Sequence, residues 1–164
     1  MEILPLKKWP LQMRIFLAVF LTVLTVGVTI GLIYLNYETN FSVGGAIENY
    51  QGTVMDEEFE IPDKYPKSFS GMLLSTHTHI IAFAFIFFIL GGITFFSSKL
   101  SPGWKIFLMI EPLVSVLITF GSLWGLRYLH SVFALIAMFS GIIMYTSYYV
   151  IVFILLTELI KTDK

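Results

Sequence analysis

The chain contains four apolar stretches long enough to cross a lipid bilayer, and this feature constrains its fold more than any other. A membrane-spanning helix needs about 20 mostly apolar residues, and we place four spans at 13–36, 70–97, 104–123 and 129–158. Only 13% of the residues are charged, against about 25% in soluble globular proteins. The sequence therefore predicts an all-α integral membrane protein, with residues 1–164 forming a single membrane domain.

The connections between the spans predict an up-down-up-down four-helix bundle. Residues 98–103 and 124–128 allow only tight turns, so the second, third and fourth spans are antiparallel neighbours. Residues 37–69 form the one long polar segment, and its glycines and prolines favour an extracytoplasmic acidic loop with at most one short helical turn. We interpret the carboxylates at 56–60 as a solvated acidic face, since their spacing fits no calcium loop; metal capture is the alternative.

The lysines and arginines predict which side of the membrane holds the termini. Seven of the ten lie at the end of the predicted bundle that carries both termini. Because cytoplasmic segments are enriched in lysine and arginine, we expect both termini in the cytoplasm and the protein in a bacterial inner (plasma) membrane. The seven are Lys7, Lys8, Arg14, Lys99, Lys105, Lys161 and Lys164, and the other three are Lys64, Lys67 and Arg127.

Charge and cysteine content exclude several classes of function. The formal net charge is −1, so no basic face is available for nucleic acid. The chain has no cysteine, which excludes disulfides, iron–sulfur clusters, covalently attached haem and thiol catalysis.

The three histidines form the first candidate site. His77 and His79 lie near the start of the second span, and His130 opens the fourth. With Leu100 as the inner turn, Gly125 as the outer turn and about 1.5 Å per residue, His79 and His130 lie roughly 31 and 30 Å from the inner turn, at one depth near the outer face. The second and fourth spans are diagonal in a sequential bundle, so the two imidazoles predict a bis-histidyl haem b between them.

Neighbouring residues complete this prediction. Arg127 lies where a haem propionate would meet water, and His77 is placed to bond a propionate or a quinone. The helix count and histidine placement resemble those of small membrane cytochrome b subunits, which implies electron transfer. Two alternatives stay open for the histidines: interfacial side chains bonded to backbone or water, or a copper or zinc site with His79 and His130 as ligands. A three-histidine metal site, with His77 as the third ligand, needs the helix to start only after His77, so that His77 and His79 can converge.

Glu111 is the second candidate site, as a catalytic residue. It lies about 16 Å from the inner turn, near the bilayer midplane, where a carboxylate must be protonated, paired or turned to a polar cavity. Ser140 and the Gly91–Gly92 pair lie at matching depth. Glu111 therefore indicates a proton relay or a quinone contact, and the alternative is a neutral carboxyl bonded to the carbonyl that Pro112 leaves free.

Together these features predict a membrane electron-transfer subunit that binds haem b and interacts with quinone near the outer face. The alternative is a cofactor-free structural or assembly subunit of a larger membrane complex. In either case the partners are the lipid bilayer and other membrane-protein subunits or further copies of the chain. We interpret the polar cluster at 145–149 as residues for hydrogen bonding between helices.

Overall fold

The computed structural model describes residues 4–53 and 61–161, and these residues are helical with short connections. Four of the helices are long and apolar enough to cross a membrane, so the predicted all-α fold with four spans is confirmed. The carboxylates at 56–60 lie outside the described residues. The helices are α1 (Leu11–Thr39), α2 (Val43–Gln51), α3 (Phe69–Phe95), α4 (Pro102–Tyr128) and α5 (Phe133–Ile160), and a 3-10 helix at Leu6–Lys8 precedes them.

The turn between α4 and α5 lies later in the chain than predicted. Helix α4 continues through residues 124–128, and its end is set by the N–H groups of Leu129 and His130, which both donate to the Gly125 carbonyl at 2.8 and 3.0 Å. Gly125 lies within α4 and does not end the helix; it allows another part of the chain to approach closely. A Cβ there would lie 2.6 Å from the ring of Phe133. The predicted connection at 124–128 is therefore wrong, and His130 lies in the turn instead of at the head of the last span.

The polar segment between the first two spans contains a helix of nine residues, α2, where we predicted at most one turn. The Ser42 side chain caps α2 by accepting a hydrogen bond from the Gly45 N–H at 2.9 Å. A Cβ on Gly45 would lie 2.1 Å from the Thr39 carbonyl oxygen, so glycine is required for α2 to fold back onto the end of α1. The two residues between them, Asn40 and Phe41, have φ of 51° and 48°.

Helix α5 lies at the centre of the packing. It packs most closely against α4, which in turn packs against α3, and α1 lies against α5. Among the described residues, α1 and α3 do not pack closely along their length. We call the end of the bundle that carries both chain termini the terminal end. The opposite end, which carries α2, is the α2 end. The buried core includes Leu17, Leu21, Leu90, Met144, Tyr148 and Leu155.

Hydroxyl groups join α1 to α5 within the bundle. The Thr25 and Thr29 hydroxyls bond those of Tyr148 and Tyr149 at 3.3 and 2.8 Å. Each threonine also donates to the carbonyl four residues earlier in α1. These contacts confirm hydrogen bonding between helices for Tyr148 and Tyr149 of the polar cluster at 145–149.

Candidate functional site: a carboxyl between two serines

Glu111 projects from α4 towards α5 and accepts hydrogen bonds from two serines. The Ser115 hydroxyl, one turn along α4, donates to Oε1 at 2.5 Å. The Ser147 hydroxyl on α5 donates to Oε2. Both serines are buried, whereas Glu111 is half-buried. The carboxyl is therefore a polar link between two spans.

The Glu111 link is part of a longer row of polar side chains at the α4–α5 interface, which we call the polar seam. Glu111, Ser115 and Thr119 are four residues apart and share one face of α4. Ser147 and Ser140 are seven apart and share one face of α5. The Thr119 and Ser140 hydroxyls are bonded at 2.8 Å. The polar seam thus runs from Glu111 towards the α2 end.

The sequence places Ser140 and the Gly91–Gly92 pair at the depth of Glu111, but the structure pairs Glu111 with other residues. Ser140 pairs with Thr119, and Glu111 pairs with Ser147. A Cβ on Gly91 would contact Met109 at 3.6 Å, so this glycine accommodates another α4 side chain. The carboxyl of Glu111 is nevertheless paired, as a group at that depth requires.

His79 is exposed on α3 and has one ring nitrogen engaged. Its Nδ1 lies 2.8 Å from the Ser75 carbonyl oxygen. A carbonyl only accepts, so in a neutral ring Nδ1 carries the proton and Nε2 has the lone pair. The ring centroid lies 5.6 Å from that of Phe120 on α4. Metal-binding histidines commonly have this arrangement, with one nitrogen donating to a carbonyl and the other open.

His130 has the opposite arrangement. Its Nδ1 accepts a hydrogen bond from the Val132 N–H at 3.1 Å, so a neutral ring carries its proton on Nε2. The side chain is exposed in the α4–α5 turn, and His77 is also exposed on α3. No ring contact or hydrogen bond joins the histidines within residues 4–53 and 61–161. In the same part of the chain, no three His, Cys, Asp or Glu side chains come together as metal ligands.

Arg127, expected near a haem propionate, holds the connection before α3. Its Nε donates to the Lys67 carbonyl at 2.8 Å, and its guanidinium carbon lies 4.9 Å from the centre of the Tyr128 ring. The Gln51 amide donates to the Leu126 carbonyl at 2.6 Å. These contacts attach α2 and the following segment to the end of α4.

Tyr50 belongs to the same end of the bundle. It lies in α2, outside the spans, and is half-buried. Burial, followed by the nearby Glu38 carboxylate and the Tyr34 phenol, raises its pKa from 10.0 to about 12. The phenol is therefore neutral throughout the physiological range.

The terminal end holds two buried charged residues that sequence reasoning did not select. The side chains of Arg14 and Glu158 are 7% and 1% exposed. Arg14 Nε and Nη2 donate to the Leu159 carbonyl at 2.9 and 2.5 Å, and Nη2 also donates to the Lys161 carbonyl at 2.8 Å. The available signal was position: each charge lies within the first or last turn of an apolar span, at the same end of the bundle.

Glu158 holds the turn that joins α3 to α4. Its Oε2 accepts from the Ser97 hydroxyl at 2.5 Å. Its Oε1 accepts from the Ser98 N–H at 2.8 Å and the Ser98 hydroxyl at 2.7 Å. Three donors therefore satisfy a carboxylate that has almost no contact with solvent.

Four long apolar helices with polar links between them define a polytopic α-helical membrane protein. The chain belongs to the Aq_1264_TM family, described as a transmembrane helical domain, which it matches over residues 40–164. The match thus starts just after α1 and includes α2 to α5. Neither the curated proteins nor the solved structures contain a match to the chain.

Proposed function

We propose that this chain is a proton-handling membrane subunit in which Glu111 takes up and releases a proton. The observation that carries the proposal is the Glu111 carboxyl held by Ser115 and Ser147 inside the span. A charged side chain at the centre of a membrane helix costs about 2.5–3.5 kcal/mol on insertion scales. Ionisable groups kept there commonly belong to ion or proton pathways.

The polar seam supplies the inner part of a route for the proton, between the Thr119–Ser140 pair and Glu111. The successive polar residues of the seam on α4 are one turn apart, about 6 Å along the helix. One water molecule can bridge two side chains at that separation with two hydrogen bonds. A proton that arrives through the Thr119–Ser140 pair converts the Glu111 carboxylate to the neutral acid. Release of the proton restores the carboxylate, which the two serine hydroxyls stabilise.

The proposal is tested on the full chain reconstituted in lipid vesicles. The infrared band of a protonated carboxyl is followed as a function of pH, together with the proton uptake reported by a dye inside the vesicles. We expect the band of Glu111 to be absent in Glu111→Gln, with proton uptake lost. Ser147→Ala should shift the band because it removes a donor to Glu111.

Two further variants separate a route from a simple structural link. Ser140→Ala should slow proton uptake without shifting the band, since Ser140 lies on the polar seam and does not contact Glu111. Thr22→Ala is the matched control, because within the described residues its hydroxyl bonds only the Ala18 carbonyl in its own exposed turn. Unchanged uptake in Glu111→Gln would end the proposal. Destabilisation by Glu111→Leu would then identify the carboxyl as a link between spans, in keeping with a cofactor-free structural subunit.

A second candidate function, haem-linked electron transfer, rests on His79. The open Nε2 and the Nδ1 bond to Ser75 have the geometry of an axial ligand. His130 is the sequence-based choice for the second ligand, and it would have to give up its bond with the Val132 N–H and move its proton from Nε2. The site would supply electron transfer to a quinone, which takes up protons when it is reduced.

The visible spectrum of the purified full chain with added haem tests this candidate. A Soret band with split visible bands on reduction, lost in His79→Ala and kept in His77→Ala, would support it. A spectrum that is the same for His79→Ala and the native chain would contradict it. The proton-uptake experiment is independent of this result.

A further inference from the structure

A cavity of about 210 Å³ lies at the terminal end of the bundle, away from the polar seam. Its lining combines three lysines with one serine and one carboxylate: Lys7, Lys99, Lys161, Ser98 and Glu158. The three lysines come from separate parts of the chain. Lys7 precedes α1, Lys99 lies between α3 and α4, and Lys161 follows α5.

The buried guanidinium of Arg14 fixes two of these segments. It donates to the Lys161 carbonyl at 2.8 Å and to the Lys7 carbonyl at 3.4 Å. Two more bonds, from Nε and Nη2, hold the Leu159 carbonyl. Arg14, which is itself 7% exposed, therefore holds the main chain at both Lys7 and Lys161, near opposite ends of the chain.

The carboxylate of Glu158 fixes the third segment. It accepts from the Ser98 N–H and both neighbouring hydroxyls, which sets the position of Lys99. The Lys99 ammonium donates to the Thr157 hydroxyl at 2.7 Å. The lining thus carries three positive charges and one negative charge, and the negative charge is held on three donors from the turn.

We propose that this cavity, the terminal pocket, binds the phosphate group of an anionic lipid headgroup. Its residues lie at or just beyond the ends of α1, α3 and α5, at the depth where a bilayer presents its headgroups. Basic pockets between membrane helices on one side of a bilayer commonly bind anionic lipid headgroups. Trp9 packs edge-on against Phe96 at 5.2 Å nearby, and tryptophans of this kind mark the membrane interface.

Lipid binding is measured on the full chain purified in detergent. Native mass spectrometry counts bound phosphatidylglycerol and bound phosphatidylcholine over a range of lipid concentrations, and a second arm adds inorganic phosphate alone. We expect phosphatidylglycerol to bind more tightly than phosphatidylcholine. Replacing Lys99 or Lys161 with Gln should weaken phosphatidylglycerol binding about fivefold, the effect of losing about 1 kcal/mol per basic residue.

Lys8→Gln is the matched control. It removes the same charge one residue from Lys7, and Lys8 does not line the terminal pocket. Weakening in Lys99→Gln and Lys161→Gln but not in Lys8→Gln supports the proposal. Competition by inorganic phosphate would extend it to the free anion. Equal binding of the two lipids, or equal loss in all three variants, would overturn it, since either outcome means that no specific pocket recognises the phosphate.

Discussion

Glu158 provides the sharpest test of how the terminal end is stabilised. Glu158→Leu keeps a side chain of similar volume, but the three donors from Ser97 and Ser98 lose their acceptor. The serine hydroxyls can turn to other acceptors, whereas the Ser98 N–H, whose bond to Glu158 is part-buried, is fixed by the main chain. Each lost hydrogen bond costs about 0.5–1.5 kcal/mol, and a bond to a charged acceptor about 1.5–3 kcal/mol. Allowing for the gain from the added apolar surface, we expect a loss of about 3 kcal/mol.

Glu158→Gln separates the charge from the acceptor geometry. Its carbonyl can still accept from Ser98, and its amide can donate to the Ser97 hydroxyl, so we expect a loss of about 1 kcal/mol. For a chain of this size 1 kcal/mol corresponds to about 2–4 °C, so Tm should fall by roughly 6–12 °C in the Leu variant and by less than half of that in the Gln variant. Thermal unfolding of the detergent-solubilised chain, followed by circular dichroism, measures both.

The exposed Glu48 on α2 is the control, because Glu48→Leu removes a carboxylate that solvent already satisfies. Its Tm should stay within about 2 °C of the native value, as for surface substitutions within ±0.5 kcal/mol. If Glu158→Leu unfolds at the same temperature as Glu48→Leu, the reasoning is refuted. The three hydrogen bonds would then contribute nothing to the stability of the fold.

Two further predictions concern the α2 end. The raised pKa of Tyr50 favours the neutral phenol in the folded state, so its contribution is complete below pH 10 and is lost as pH rises through about 12. Tyr50→Phe should remove this alkaline loss of stability, worth up to about 3 kcal/mol, and unfolding titrations at several pH values will measure it; an unchanged alkaline limit would contradict the prediction. Gly45→Ala should displace α2 and lower Tm, because its Cβ would lie 2.1 Å from the Thr39 carbonyl oxygen. Gly44→Ala, where a Cβ meets nothing within 4 Å, is the control and should leave Tm unchanged or higher.

The partners of Glu111 show how far the sequence could predict which residues of α4 and α5 face each other in the membrane. The four spans follow from apolar length alone, and the interior orientation of Glu111 follows from the cost of exposing a carboxyl to lipid. Its partner depended on the position of one turn. The bonded pairs Glu111–Ser147 and Thr119–Ser140 have their midpoints at residues 129 and 129.5, whereas the prediction placed the turn at 125. A shift of four residues in the turn moves the facing residue on α5 by two helical turns.

The remaining differences have local physical causes. Helix α2 was missed because Gly44 and Gly45 are typical of a loop, yet Gly45 serves a close approach between helices. Glu158 and Arg14 were read as part of polar ends because a charge near the end of a span usually lies in water. Sequence pattern does not show that the 3-10 helix and the turn after α3 cover these two residues. Their burial is a tertiary property, set by contacts between residues about 60 or more positions apart.

Synthesis order and assembly order differ in this chain because of the way α1 is held. Helix α1 is made before α5, which supplies most of the long-range groups that fix it. Its hydrogen bonds join residues 120 to 147 positions apart, through Tyr148, Tyr149, Leu159 and Lys161 of the C-terminal region. Since α1 does not pack closely along α3, its contacts with the later spans form mainly once α5 is inserted. Docking of α1 into the bundle therefore follows the synthesis of α5.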